Sequence, residues 1–149
     1  MKARGVLAFA VAFVLAAAVL AHGASKTVII PAGDLKWTPL DAKFPGVMIA
    51  DLWGDHAKGA FGAIIKFPAG FATPLHSHTH DMKLVIVSGT VIHTPEGKPE
   101  IRLGPGSYIM QGGAGYKHTT ACDKGSDCVF FGESNGAFDL KPAEAPAKK

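Results

Sequence analysis

No stretch beyond residue 24 sustains a 3.6-residue apolar period, which speaks against an architecture built on amphipathic helices. Internal repeats are missing too, so nothing suggests a tandem of domains. An excess of charge of one sign is also absent. The sequence holds 15 basic and 12 acidic residues, but two of the basic ones, Lys2 and Arg4, lie in the first 24 residues. Without that segment the balance is 13 to 12, which gives no basis for binding nucleic acid or an anionic lipid surface. Cysteine is nearly absent, with only Cys122 and Cys128. Neither lies directly after the N-terminal apolar run, against a lipoprotein anchor. The spacing of the two is not CxxC, which weakens a metal pair.

The long apolar run that does occur, Val6 to Ala21, follows Lys2 and Arg4 and ends in the small residues Ala21, Gly23 and Ala24. A basic start, an apolar centre and a small-residue exit predict a secretory signal peptide over residues 1–24 and a periplasmic or secreted protein. The alternative is an uncleaved membrane anchor, for which the run is slightly short; this is the only membrane association the sequence suggests. Cleavage after Ala24 leaves 125 of the 149 residues, enough for one domain with a core. Export also suits the cysteines. They flank Asp-Lys-Gly-Ser-Asp, a turn-rich pentapeptide, and a hairpin there would place them at the ends of facing strands, close enough for a disulfide in an oxidising compartment. Free buried cysteines are the alternative.

Short β-prone runs separated by Gly and Pro turns recur every eight to twelve residues, the pattern of an all-β sandwich or barrel. Expected strands are residues 25–30, Val47–Trp53, Ala60–Phe67, Leu84–Thr94 broken at Gly89, Glu100–Leu103, Ser107–Gln111, Lys117–Cys122 and Cys128–Glu133. Gly62, inside one of them, predicts a bulge or a close backbone approach. His56 reads as a loop histidine, and His93, just before Thr94-Pro95-Glu96-Gly97-Lys98, as a solvent-exposed residue at a hairpin tip. Residues 140–149 lack apolar periodicity and are expected to form a disordered tail.

The chemistry concentrates in Gly70 to Gly89, which carries His76, His78 and His80. On a strand, residues two apart share a face, so His76 and His78 can aim two imidazoles at one point. Neutral imidazole is the commonest protein ligand for a transition metal. A further histidine, His118, follows a second glycine-rich segment.

Glycine, five residues, His-x-His, then a later glycine is met by Gly70, His76, His78 and Gly89, with Leu103 to Ser107 and Gly112 to His118 as a second motif. This resembles the cupin superfamily, specifically its small single-domain, RmlC-like members, over roughly residues 61–131. The resemblance implies one double-stranded β-helix, a jelly-roll-like barrel over residues 25–139, with His76, His78 and His118 holding a divalent transition metal (Fe, Mn, Zn, Ni or Cu). The usual glutamate is missing: Met82 stands there, with Lys83 beside it. His80, Asp81 or Met82 could be the fourth donor, and a thioether would favour copper; the alternative for Met82 is an apolar residue packing the barrel wall. Tyr108 and Gln111 could line the pocket as hydrogen-bond donors or serve structure alone. The resemblance further implies a small-molecule ligand or substrate and admits a homodimer. Some small cupins are three-histidine dioxygenases, so a metal-dependent oxygenase is one expectation. A non-catalytic periplasmic module binding a small molecule or copper is the other.

Overall fold

The computed structural model describes residues 26–143. The signal peptide expected over residues 1–24 lies outside the described residues. Eleven strands follow one short 3₁₀ turn at Ala32–Asp34: β1 Thr38–Pro39, β2 Met48–Gly54, β3 Phe61–Phe67, β4 His76–Ser77, β5 Met82–Ser88, β6 Val91–Pro95, β7 Ile101–Leu103, β8 Tyr108–Gln111, β9 His118–Cys122, β10 Cys128–Ser134 and β11 Lys141–Pro142. They form a six-stranded sheet in the order β1-β2-β3-β10-β5-β8 and a five-stranded sheet in the order β11-β4-β9-β6-β7. Every pairing is antiparallel.

Period-two burial explains why these residues pair as they do. Met82, Leu84 and Ile86 turn inward from β5, while Lys83, Val85 and Val87 face out. On β10, Cys128, Phe130, Gly132 and Ser134 are buried in alternation. The inward rows meet in a core containing Ile49, Phe61, Ile65, Leu84, Ile86, Val91 and Phe130. At one end Phe67 packs edge-to-face against Phe71 and Phe130, with centroids 4.9 and 5.1 Å apart. That geometry suits the aromatic quadrupole. Cys122 and Cys128 are joined by a disulfide across the β9–β10 turn.

Gly62 behaves as its place inside a strand predicts. A Cβ there would lie 2.1 Å from Trp53 Nε1, so the glycine lets the indole lie close against β3. The β2–β3 register slips between Asp51 and Trp53, directly opposite.

Three expectations need correction. Residues 26–30 form no strand: Val28 and Ile29 are 66% and 84% exposed, and no neighbouring strand offers them backbone partners. Ordered structure does not stop at residue 139. Lys141 and Pro142 pair with Ser77 and His76 of β4, and the Ala143 N–H donates to the Leu75 carbonyl at 2.9 Å. The rest of the expected tail, residues 144–149, lies outside the described residues. Finally, Tyr108 points out of the barrel and is exposed, so it lines no pocket.

Candidate metal centre

His76 opens β4 and pairs directly with His118, the first residue of β9. This one cross-strand pair brings the two sequence motifs together. His78 follows two residues later, and its ring turns to the same interior. All three are buried: His76 is 2% exposed, His78 6% and His118 0%. Their ring centroids lie 4.4 Å apart for His76 and His118, 4.9 Å for His76 and His78, and 5.4 Å for His78 and His118. One donor nitrogen from each lies within 4.8 Å of the others.

The tautomers follow from the partners. His76 Nδ1 lies 2.8 Å from the Pro74 carbonyl, His78 Nδ1 bonds the Asp139 carbonyl, and His118 Nδ1 lies 3.3 Å from the Tyr116 carbonyl. A carbonyl only accepts, so each Nδ1 carries the proton and each Nε2 keeps a free lone pair. Backbone hydrogen bonds of this kind commonly orient metal-binding imidazoles. His118 Nε2 is buried and has no hydrogen-bond partner among the described residues. An orphaned buried acceptor is costly unless something fills its lone pair, and a metal cation fits that need.

Burial also keeps the rings uncharged. It pushes His118 down to about 3, with His76 the next contributor, and His76 down to about 4 against the opposing pull of its Pro74 hydrogen bond. Burial lowers His78 as well. All three are therefore neutral near pH 7, the state that binds metal.

The fourth position differs from what a glutamate would offer. Met82 is buried and lines an apolar cavity of about 40 Å³ beside His76, His78, Phe138 and Leu140. Gln111, its cross-strand neighbour, is 2% exposed and lines the same cavity. His80 is not brought into the cluster. Its ring sits over Gly136, where a Cβ would lie 2.4 Å from His80 Nε2. Asp81 turns away as well, accepting the Gly113 N–H at 2.6 Å.

His56 does sit in a loop-end polar group, with Nδ1 2.9 Å from Asp51 Oδ2. His93 does not match its expectation. It is 3% exposed, not a solvent-facing tip, because β6 alternation puts it on the inward face with Val91. Its ring centroid lies 4.9 Å from His118, and its Nε2 lies 2.8 Å from the Tyr116 hydroxyl. The sequence signal was its position two residues after the buried Val91 on one strand; the Pro-Glu-Gly turn that follows obscured it.

Two antiparallel sheets closed around a histidine cluster define a cupin barrel, and the solved structures that match the chain agree. The chain belongs to the family described as Domain of unknown function (DUF4437), whose model matches residues 23–149. No curated protein sequence matches it. Among solved structures it is similar to the polyketide cyclase RemF from Streptomyces resistomycificus, with 16% identity over 82% of this chain and 89% of that one and a TM-score of 0.64. An RmlC-like cupin from Ralstonia eutropha shares 21% identity over 78% and 79% of the two chains, at a TM-score of 0.61. The DMSP lyase DddQ from Ruegeria pomeroyi shares 20% identity over 76% of this chain, at a TM-score of 0.60. The match spans 64% of that lyase, under two thirds of its length.

Proposed function

We propose that this chain binds one divalent transition metal through His76, His78 and His118 and acts on a small molecule admitted beside it. The observation that carries this is the orphaned His118 Nε2, fully buried next to two imidazoles whose Nδ1 protons are already committed. A metal there would supply Lewis acidity toward a chelating oxygen, and iron would add dioxygen chemistry. The chain's own residues do the rest. Three backbone carbonyls hold the imidazoles in one tautomer. Phe71, Phe138 and Leu140 give the cavity apolar walls, and Gln111 offers the amide that can orient a polar ligand group. Within this proposal the chain is a dioxygenase-like enzyme. Two fold neighbours are named for small-molecule chemistry, a lyase and a cyclase, which supports a small substrate. Export to the periplasm or beyond belongs to the same proposal and rests on the N-terminal sequence alone.

A second reading has its own observation. Met82 stands where a carboxylate is usual, and among the described residues no Asp or Glu lines the cavity. A non-catalytic module holding copper or an apolar ligand is compatible with that lining.

The test is elemental analysis of chelator-free mature protein, with the variant His76→Ala/His78→Ala beside it. Near-stoichiometric metal in the wild type and none in the folded variant is the expected result. Stoichiometric metal retained by the variant would overturn the site. Iron, manganese or nickel supports the enzyme and leads to oxygen-uptake assays, whereas copper supports the binding module.

A further inference from the structure

We infer that His93, acting through Tyr116, is a positioning residue that fixes the orientation of His118 for metal binding; this rests on the metal site proposed above. His118 differs from the other two histidines in how it is held. The carbonyls that take the His76 and His78 protons belong to Pro74 and Asp139, and Asp139 is itself tied down by the Thr79 N–H and hydroxyl, at 2.8 and 2.5 Å. The carbonyl that takes the His118 proton belongs to Tyr116, at the end of a loop running through Gly112, Gly113, Ala114 and Gly115. Ala114 and Gly115 both adopt positive φ, 48° and 110°. Backbone bonds hold the loop on either side of Tyr116, Ala114 N–H to the His78 carbonyl and Glu96 N–H to the Lys117 carbonyl, and the Tyr116 side chain adds a third tie.

That side chain is held at both ends. The phenol stacks on the His118 ring, with centroids 5.2 Å apart and planes at 27°. Its hydroxyl meets His93 Nε2 at 2.8 Å, and the His93 ring runs nearly parallel to the phenol, at 17°. His93 sits on β6, inside the barrel, paired with Thr120 two residues along β9 from His118. A rigid strand thus reaches across to pin the residue whose carbonyl sets the His118 tautomer. Outer hydrogen-bonding partners of this kind orient metal ligands and tune affinity.

His93 has no better structural reason to be there. Its Nδ1 is buried with no hydrogen-bond partner among the described residues, so the residue costs the fold more than an apolar one of similar size would. Packing alone does not account for a half-satisfied imidazole in a barrel interior.

The experiment measures cobalt(II) affinity of the metal-free full-length mature protein by competition with a chelator. It also records the cobalt visible spectrum and urea unfolding without metal. His93→Leu and Tyr116→Phe are each expected to weaken cobalt binding by about 10- to 100-fold and to alter the ligand-field bands. The double variant should be no weaker than the worse single one, because both changes break one link. His93→Gln places an amide group where Nε2 stood and should restore most of the affinity. Metal-free His93→Leu should unfold at the same urea concentration as wild type or a higher one. Variants that bind cobalt as tightly as wild type, or losses that add in the double variant, would overturn the positioning role and leave the three-histidine site intact. A wild-type protein that takes no cobalt would overturn the site, and this role with it. Should His93→Leu fail to fold, Tyr116→Phe decides, since it keeps the stacked ring and removes only the hydroxyl.

Discussion

Acidification of the metal-free protein offers a quantitative check on the buried histidines. An unfolded histidine takes up a proton near pH 6.5. In the folded chain burial holds His76 near 4 and His118 near 3. Between those values and the unfolded one, the unfolded state binds more protons, so stability rises with pH in that window and falls as pH drops through it. The contribution is fully present above about pH 6.5 and declines from there down toward the folded values. From about pH 7 to about pH 5, each of the two rings costs about 2 kcal/mol, hence about 4 kcal/mol together. That is a large fraction of the 5–15 kcal/mol typical of a domain. His78 and His93, also lowered by burial, push the same way. The carboxylates held below their ordinary range, Asp55 and Asp139, titrate lower still and leave this window to the histidines. The assay is urea unfolding of chelator-treated protein, followed by circular dichroism at several pH values. A loss of several kcal/mol over two pH units, with a shallower slope in His118→Gln, is expected. A flat profile in wild type, or an unchanged slope in the variant, would refute a neutral buried cluster.

Two further changes have defined outcomes. Replacing both cysteines by serine removes a bridge that closes a loop with a sequence separation of 6. Stability should fall by about 2 kcal/mol on the chain-entropy account, read as a lower urea midpoint, and an unchanged midpoint would show that the bridge constrains nothing. Met82→Glu puts a carboxyl into an apolar wall. It should lower the melting temperature of metal-free protein, by about 1–3 kcal/mol of stability, yet raise zinc or manganese affinity at least tenfold. A variant whose metal affinity does not rise would mean that position 82 does not face the metal.

The sequence was most informative where one residue pattern settled both neighbours and face. The strands from Val47 to Phe67 and from Leu84 to Glu133 could be read because turns punctuate them and alternation separates inside from outside. His76, His78 and His118 could be read because two spacing patterns flank them. The unreadable parts failed for physical reasons. Thr27 to Ile30 has strong β propensity, but propensity supplies no partner strand, and the segment stays unpaired and exposed. Lys141–Pro142 has neither periodicity nor β-prone residues, and is ordered because β4 is a sheet edge until it arrives. His93 was misplaced because the turn after it hid the strand's alternation, and its burial depends on pairing with β9, distant in sequence, where Thr120 sits opposite.

The absence of a carboxylate has a consequence for charge. All three Nδ1 protons go to neutral backbone carbonyls, not to acidic side chains. Asp81 and Asp139 are engaged elsewhere: Asp81 accepts from the Gly113 N–H, and the Asp139 carboxylate from Thr79 with Lys141 Nζ 3.5 Å away. Met82, Gln111 and the aromatic lining carry no charge. A divalent ion on His76, His78 and His118 would therefore keep both positive charges in an apolar surrounding, where an uncompensated charge is expensive. The deficit makes an anionic oxygen from outside the chain the best complement to the site. It also explains why Met82→Glu is expected to tighten metal binding while weakening the metal-free fold: the same carboxylate is a burden in the empty barrel and the missing counter-charge in the loaded one.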